Sequence, residues 1–222
     1  MIESFNFRVI MEYMPLYMQC FAATLWLSAL SLFGAIAVGI IACAMRLSQS
    51  WVARRIAGIY IESIRSTPLL AQLYFFYFGL PSLGIMMPEW LTGVIALTLN
   101  SGAYYAEIIR SGIQAIPFGQ IEAGISSGLN YFQRMRYIIL PQALGMTIRP
   151  MLGQAIVLVK DSSLLSLISI MELTRAGQML TSDRFMPAEG FLTTAAFYLV
   201  IYYMLKAFSG WSEKRLIFQE AH

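Results

Sequence analysis

Charge is absent from long stretches of this chain, and that absence limits what the chain can fold into. No Asp, Glu, Lys or Arg occurs between Glu12 and Arg46, between Arg65 and Glu89, between Glu89 and Glu107, or between Glu189 and Lys206. A soluble domain carries about 25% charged residues. This chain of 222 residues carries 12%, against 58% hydrophobic. It lacks the polar residues to wet a surface, so a soluble, disordered or disulfide-stapled fold is not expected. The formal net charge of +3 is small and scattered, which argues against nucleic-acid binding. The expected class is an all-α integral membrane protein.

A bilayer needs about 20 mostly apolar residues per helix. The charge-free intervals place four spans near 18–45, 60–80, 90–112 and 189–209. A fifth apolar stretch, Pro150 to Met171, is interrupted near its middle by Lys160-Asp161-Ser162-Ser163. Five transmembrane helices result, the fourth of them broken. Basic residues orient the bundle. The first connection carries Arg46, Arg54 and Arg55, the third Arg110, Arg134 and Arg136, and the C-terminal tail Lys214 and Arg215, whereas residues 81–88 carry none. The first and third connections and the C-terminus are therefore expected in the cytoplasm, with the N-terminus outside. Arg175 and Arg184, in a connection that should be external, run against the rule.

Residues 1–17 mix Phe5, Phe7, Ile10, Tyr13 and Tyr17 with Glu3, Arg8 and Glu12. They read either as an external amphipathic segment on the membrane surface or as the start of the first span. The apolar run that follows is too long for a signal peptide, whose apolar core spans about 7–15 residues. Residues 18–212 form a single transmembrane domain, and 213–222 a cytoplasmic tail. There is no internal repeat and no low-complexity tract. Cys20 and Cys43 are separated by about 35 Å of helical rise, too far for a disulfide. The only histidine is His222, so no Cys/His metal cluster is expected.

The third connection carries the sharpest signal. Pro117 and Gly119 end the preceding helix. A short helix then restarts at about 120–130, rich in small residues (Ala123, Gly124, Ser126, Ser127, Gly128) that allow close approach of another surface. Pro141 follows near the start of the next span. An ordinary amphipathic loop helix is the plainer reading of this segment.

The segment resembles the EAA motif of importer-type ABC permeases: E-A-A, three residues, G, nine residues, I, any residue, L-P. Glu122, Ala123, Gly128, Ile138, Leu140 and Pro141 match at that spacing, with Gly124 in place of the second alanine. The resemblance extends through Met45-Arg46-Leu47-Ser48, Arg65-Ser66-Thr67-Pro68-Leu69-Leu70, Leu97 to Tyr104, Glu107 to Arg110 and Val159 to Leu164. These segments are similar to the polar amino acid permeases of the histidine, glutamine, arginine and cystine uptake type. That resemblance implies a permease subunit with five spans and an external N-terminus. The cytoplasmic coupling helix would sit in a groove of an ATPase subunit, with Glu122, Ala123, Gly124, Gly128 and Arg134 as coupling residues. It further implies a second permease copy or homologue, two ATPase subunits that bind ATP and Mg, an external substrate-binding protein, and a multi-pass location in the bacterial inner membrane.

The chain lacks an energy source of its own. Its three lysines, Lys160, Lys206 and Lys214, never follow a glycine, so no P-loop is present. With one terminal histidine there is no catalytic triad, so the chain is not expected to be an enzyme or to hold a cofactor. Charges at membrane depth cost about 2.5–3.5 kcal/mol each and read as functional by default. Lys160 and Asp161 interrupt the fourth span as binding sites do in many transporters. Gln154 lies two helical turns before Asp161, and Asn100, Tyr104 and Glu107 form a comparable stripe. An α-amino acid would suit these groups. Asp161 would accept from the ammonium, N–H groups from Ser162 and Ser163 onward would meet the carboxylate, and Asn100, Tyr104 and Gln154 would bind a polar side chain. Equally, Asp161 caps the restarted helix, with Lys160 offsetting its charge. Glu107 with Arg110, and Glu62 with Arg65, read as structural pairs.

The expected function is translocation of a polar L-amino acid by alternating access, driven by a partner ATPase. A stand-alone secondary carrier or channel for a small zwitterionic solute is the alternative; it leaves the coupling-loop spacing without a cause.

Overall fold

The structure, a computed structural model, describes residues 5–217, with side chains as far as Trp211. The first four residues of the expected pre-span segment and the last five of the expected tail lie outside the described residues, as do the side chains of Lys214 and Arg215. Every regular element among the described residues is helical. In chain order these are α1 (Phe7–Leu47), α2 (Trp51–Arg65), α3 (Leu69–Tyr74), α4 (Leu80–Ser82), α5 (Glu89–Gln114), α6 (Phe118–Ser126), α7 (Tyr131–Arg134), α8 (Leu140–Asp161), α9 (Leu173–Arg184) and α10 (Pro187–Ile217). Three stretches are long and apolar enough to cross a membrane: Phe7–Leu47, Tyr131–Ile168 and Pro187–Trp211.

The helix ends follow from local chemistry. α1 starts at Phe7 and passes through Tyr17 without a break, reaching 41 residues, or about 60 Å of rise. The stretch expected as one span over 60–80 is two helices. Ser66-Thr67-Pro68 separates them, because Pro68 holds Thr67 out of the helical region. Two π-helical turns, Phe75–Gly79 and Met135–Ile139, each stand directly before a Leu-Pro pair, Leu80-Pro81 and Leu140-Pro141. A proline ring clashes with the carbonyl four residues earlier. Widening that turn so that Leu80 N–H reaches Phe75 O, and Leu140 N–H reaches Met135 O, accommodates it. The fourth interruption falls where the sequence places it but takes another form. α8 begins at Leu140, so Asp161 is its last residue, and a 3₁₀ helix, Ser162–Ile168, continues from it directly.

The chain divides into two compact units, each drawn from three separate stretches. The first holds the described residues of Met1–Phe33, Thr67–Thr98 and Ile156–Lys206. Its core has two clusters. One gathers Leu27, Leu73, Val94, Leu97, Leu165 and Ile168; the other gathers Tyr17, Cys20, Leu173, Ala176, Leu180 and Ile201. The chain start is tied to the fourth connection. Asn6 N–H donates to Glu189 Oε1 at 3.0 Å, Tyr13 Oη donates to Asp183 at 2.9 Å, and Arg184 pairs with Glu12. Arg184, one of the two arginines that run against the charge rule, is thus neutralised locally.

A fully buried carboxylate, Glu172, starts α9. It accepts from Thr174 N–H at 3.0 Å, Arg175 N–H at 2.8 Å and Tyr198 Oη at 2.8 Å. Burial pushes its carboxyl above the usual carboxylate range, while these donors oppose the shift by favouring the ionised form. Glu172→Ala removes the acceptor shared by the Thr174 and Arg175 N–H groups and the Tyr198 hydroxyl. We expect it to cost about 2–3 kcal/mol of stability, seen as a fall of several degrees in the melting temperature of the detergent-purified protein. Glu172→Gln, which keeps an acceptor oxygen, loses less. Equal stability of the alanine variant and the parent would remove this capping role.

The second unit holds Gly34–Ser66, Leu99–Ala155 and the described residues of Ala207–His222. In it α1 and α5 approach closely: a Cβ on Gly102 would lie 2.8 Å from Val38 Cγ1, and one on Gly39 2.6 Å from Tyr105 Cβ. Small residues at such crossings let helices pack backbone to backbone in a membrane. Tyr105 donates to Met151 O at 3.0 Å, and Tyr60 to Leu99 O at 2.7 Å.

Candidate functional site

The loop between α5 and α8 is built as a rigid projection. Ile116, two residues after the end of α5, is buried with Ile139 and Ala143, and Ile121 and Met135 pack against that cluster. This anchors one face of α6. On that face Gly124 is buried, and a Cβ there would lie 2.7 Å from Ile138 Cδ1 and 3.2 Å from the Arg134 side chain. Phe118, Glu122 and Ile125 follow one another at four and three residues, so they share a second face beside the buried one. All three are exposed. Glu122 forms no hydrogen bond or ion pair among the described residues. Ala123 is exposed beside it.

The C-terminal end of α6 explains the glycine of the motif. Leu129 N–H bonds Gly124 O at 3.0 Å and Gly128 N–H bonds Ile125 O at 2.9 Å, the pattern of a Schellman cap. Gly128 takes φ +76°, which residues with a Cβ rarely adopt, and the space around it is open. Within the chain, Gly128 is required by backbone conformation rather than by a neighbour pressed against it. Arg134 Nη1 donates to Leu129 O at 2.6 Å and so fastens the cap to α7. Asn130 and Gln133 exchange reciprocal bonds of 2.9 and 3.0 Å that start α7. Arg134 thus holds the loop's shape, while Glu122, Phe118 and Ile125 face outward.

The polar residues expected at membrane depth fall in both units. In the second unit, Asn100 is buried, and Tyr104 and Gln154 are half-buried. The Arg65 guanidinium lies over the Tyr104 ring, 5.3 Å from its centroid, and reaches Glu107 Oε2 at 3.7 Å. Arg110 holds the same carboxylate through two bonds of 2.9 and 2.6 Å. Glu107–Arg110 is therefore a pair, as the spacing suggests, but Arg65 joins it, and Glu62 pairs instead with Arg46 at 3.3 Å. The i, i+3 spacing gives no sign of this exchange, because tertiary neighbours outcompete an exposed helical pair worth a few tenths of a kcal/mol.

In the first unit, Asp161 is half-buried and its side chain makes no capping hydrogen bond. It lies in the helical region, at φ −65° and ψ −23°, so the backbone runs straight into the 3₁₀ helix. The expected fresh helix N-terminus with free N–H groups at Ser162 and Ser163 does not form. Ser162 is fully buried and its hydroxyl donates to Val159 O at 2.8 Å; Ser163 is half-buried and its carbonyl accepts from Ser166 Oγ at 2.8 Å. Among the described residues no group of acidic, cysteine and histidine side chains is arranged to hold a metal.

The family described as binding-protein-dependent transport system inner membrane component matches residues 35–218. The chain is 36% identical over 214 residues to the glutamine transport system permease protein of Escherichia coli (strain K12), covering 96% of this chain and 98% of that one. It is also 36% identical over 211 residues to a probable glutamine ABC transporter permease protein of Bacillus subtilis (strain 168), covering 95% and 98%. A chain from the crystal structure of an amino acid ABC transporter with histidines superposes with a TM-score of 0.91 at 35% identity, covering 96% of this chain and 99% of that one. A chain of the inward-facing MetNI methionine ABC transporter shares the fold, with a TM-score of 0.73 at 20% identity, covering 91% and 97%. Matched by the family over residues 35–218 and 36% identical to a permease over nearly its whole length, the chain belongs to the binding-protein-dependent transport system inner membrane components, the permeases of ABC importers.

Proposed function

We propose that this chain is the permease subunit of an ABC importer and carries a polar L-amino acid across the bacterial inner membrane by alternating access. The observation that carries the proposal is α6, an exposed helix presenting Phe118, Glu122 and Ile125 on a loop fixed from behind by Gly124, the Gly128 cap and Arg134. A rigid lever of this kind transmits motion without bending. ATP and Mg belong to two partner ATPase subunits. Closure of their dimer moves α6, and with it the membrane helices of this chain and of a second permease copy or homologue. An external binding protein delivers the substrate. Asp161 in the first unit is a candidate acceptor for the substrate ammonium, and Asn100, Tyr104 and Gln154 in the second unit are separate candidates for polar contacts.

Five spans with the N-terminus outside and the C-terminus cytoplasmic fit this role. The partition of the connections supports that topology: the first and third lie in one compact unit, and the chain start, the second and the fourth lie in the other. A decisive experiment reconstitutes the purified chain in proteoliposomes with and without its ATPase and binding protein, and follows labelled glutamine. Uptake is expected only in the complete system with ATP. Uptake by the chain alone along an ion gradient would establish the secondary-carrier alternative instead. In whole spheroplasts, a cysteine at Ser82 should react with an impermeant thiol reagent from outside, and one at Ser126 only after permeabilisation. Cys20 and Cys43 are buried, so their background is small. The reverse pattern would overturn the orientation.

A further inference from the structure

In the first unit α9 runs back alongside α10. Tyr198 Oη donates to Glu172 Oε2 at 2.8 Å, and Thr194 Oγ1 donates to Leu173 O at 3.3 Å. A Cβ on Gly177 would collide with Thr194 Oγ1, and one on Gly190 with Thr181 Oγ1. Residues 172, 177 and 181 therefore meet 198, 194 and 190 in turn, so the two helices are antiparallel. Tyr198 stands at the middle of the apolar stretch Pro187–Trp211, which is long enough to cross a membrane, and about 16 Å of helical rise from its start. The first turn of α9 thus lies at membrane depth, although the sequence places it in a connection.

Arg175, the second arginine that runs against the charge rule, stands in that turn. It is half-buried, and among the described residues its guanidinium makes one hydrogen bond, from Nη1 to Gln178 Oε1 at 3.2 Å, and no ion pair. The acids of this region are engaged elsewhere. Both Glu172 oxygens accept from the backbone of α9 and from Tyr198, Asp183 accepts from Tyr13, Glu189 from Asn6 and Glu12 from Arg184. A cation in the first turn of a helix opposes the positive end of the dipole, and a cation at membrane depth is costly without a partner. Both costs fall away when an anion meets the guanidinium. Arg175 is also held in place. Gln178 Nε2 donates to Ser166 Oγ at 3.3 Å, and Ser166 Oγ to Ser163 O at 2.8 Å. Three hydrogen bonds thus join Arg175 to the 3₁₀ helix that continues from Asp161, all within the first unit. A planar fork fastened at one nitrogen keeps its other donors for a carboxylate.

We infer that Arg175 binds the α-carboxylate of the transported amino acid. Transporters with broken helices receive the anionic group of a substrate at a helix start near the bilayer midplane. Here the N–H groups of that start are already bonded, and the guanidinium is the donor that is left. Half-burial and support from behind suit a small ligand, whereas a cation for docking a protein would project from a surface. The inference rests on the reading of the chain as a polar amino acid permease. It supplies the carboxylate partner that Ser162 and Ser163 do not offer.

Binding of two ligands to the isolated permease–ATPase complex tests it. One is glutamine; the other is 4-aminobutanamide, which is glutamine with its carboxylate replaced by hydrogen. The parent should prefer glutamine by about tenfold or more. Arg175→Gln should lose that preference by weakening glutamine alone, and Gln178→Leu, which releases the guanidinium from its support, should reduce it in part. Copurification with the ATPase reports that each variant complex is assembled. A parent that binds both ligands equally has no carboxylate subsite, and this overturns the inference without any variant. An equal loss of both ligands in Arg175→Gln would overturn it in favour of a structural role. Unchanged glutamine affinity in Arg175→Gln, with weaker stimulation of ATP hydrolysis by the external binding protein, would assign Arg175 to that protein instead. A preference indifferent to Arg175→Gln defeats the inference alone. A parent that binds no glutamine, histidine or arginine defeats the substrate reading, and the inference with it.

Discussion

Gly124→Leu is expected to abolish ATP-driven uptake while leaving the chain inserted in the membrane. The Cβ alone would enter a space already filled by Ile138 and Arg134, at 2.7 and 3.2 Å. Leucine adds three further carbons, and overpacking of this kind costs about 1–3 kcal/mol. The cheapest relief is to lift α6 off Ile121 and the cluster around Ile139 and to strain the Arg134–Leu129 bond. The lever then moves relative to α8, and ATPase closure no longer reaches the membrane helices. ATP hydrolysis continues without uptake, and the ratio of the two rates is the measurement. Normal coupling in this variant would mean that the buried face of α6 is not what fixes its position.

Gly128 separates two causes that the sequence runs together. Leucine there costs roughly 1–2 kcal/mol from the left-handed backbone alone, and meets nothing within the chain. Asparagine tolerates that backbone region far better. If conformation is what matters, Gly128→Asn retains most coupling and Gly128→Leu loses it. If the partner ATPase presses on this position, both lose it in proportion to size.

Asp161→Asn is the second large effect. The substitution keeps the shape and one acceptor oxygen and removes the charge. A hydrogen bond to a charged group contributes about 1.5–3 kcal/mol, so amino acid affinity should fall roughly tenfold or more. The external binding protein masks such a loss in uptake assays. The measurement is therefore amino acid binding to the isolated permease–ATPase complex, beside basal ATP hydrolysis, which should be unchanged. The competing role as helix cap has lost its structural basis, since the Asp161 side chain makes no cap bond and the 3₁₀ helix follows without a break. Unchanged affinity in the asparagine variant would thus leave Asp161 with no assigned role and shift attention to Asn100, Tyr104 and Gln154.

The membrane class and the loop helix were legible because each depends on neighbours in the chain; helix ends were less so, since the span expected over 60–80 is α2 and α3, and α8 begins at Leu140, ten residues before the expected start at Pro150. Charge-free intervals define α1 and α10 through the cost of taking ions out of water. Pro68, Pro81 and Pro141 act on the turn they stand in. The spacing from Glu122 to Pro141 resembles the family's loop motif, and a short helix, Phe118–Ser126, forms there on a loop that folds largely on itself.

The structure decided what depends on residues far apart. It replaced the expected Glu62–Arg65 pair with Glu62–Arg46 and Arg65–Glu107. It made Glu172 a buried acceptor for a tyrosine 26 residues away. It turned the expected break at Asp161 into a continuous change of helix type, which withdrew the free N–H groups from Ser162 and Ser163. It also divided the proposed coupling residues by what each touches. Gly124 and Arg134 fasten the loop from within, Gly128 sets its turn, and Glu122 and Ala123 face outward. Hydropathy and spacing carry one-dimensional information, enough to say that a residue leaves water or shares a helix face. Which partner it meets there depends on packing, where a contact across helices displaces one that the local spacing favours by only a few tenths of a kcal/mol.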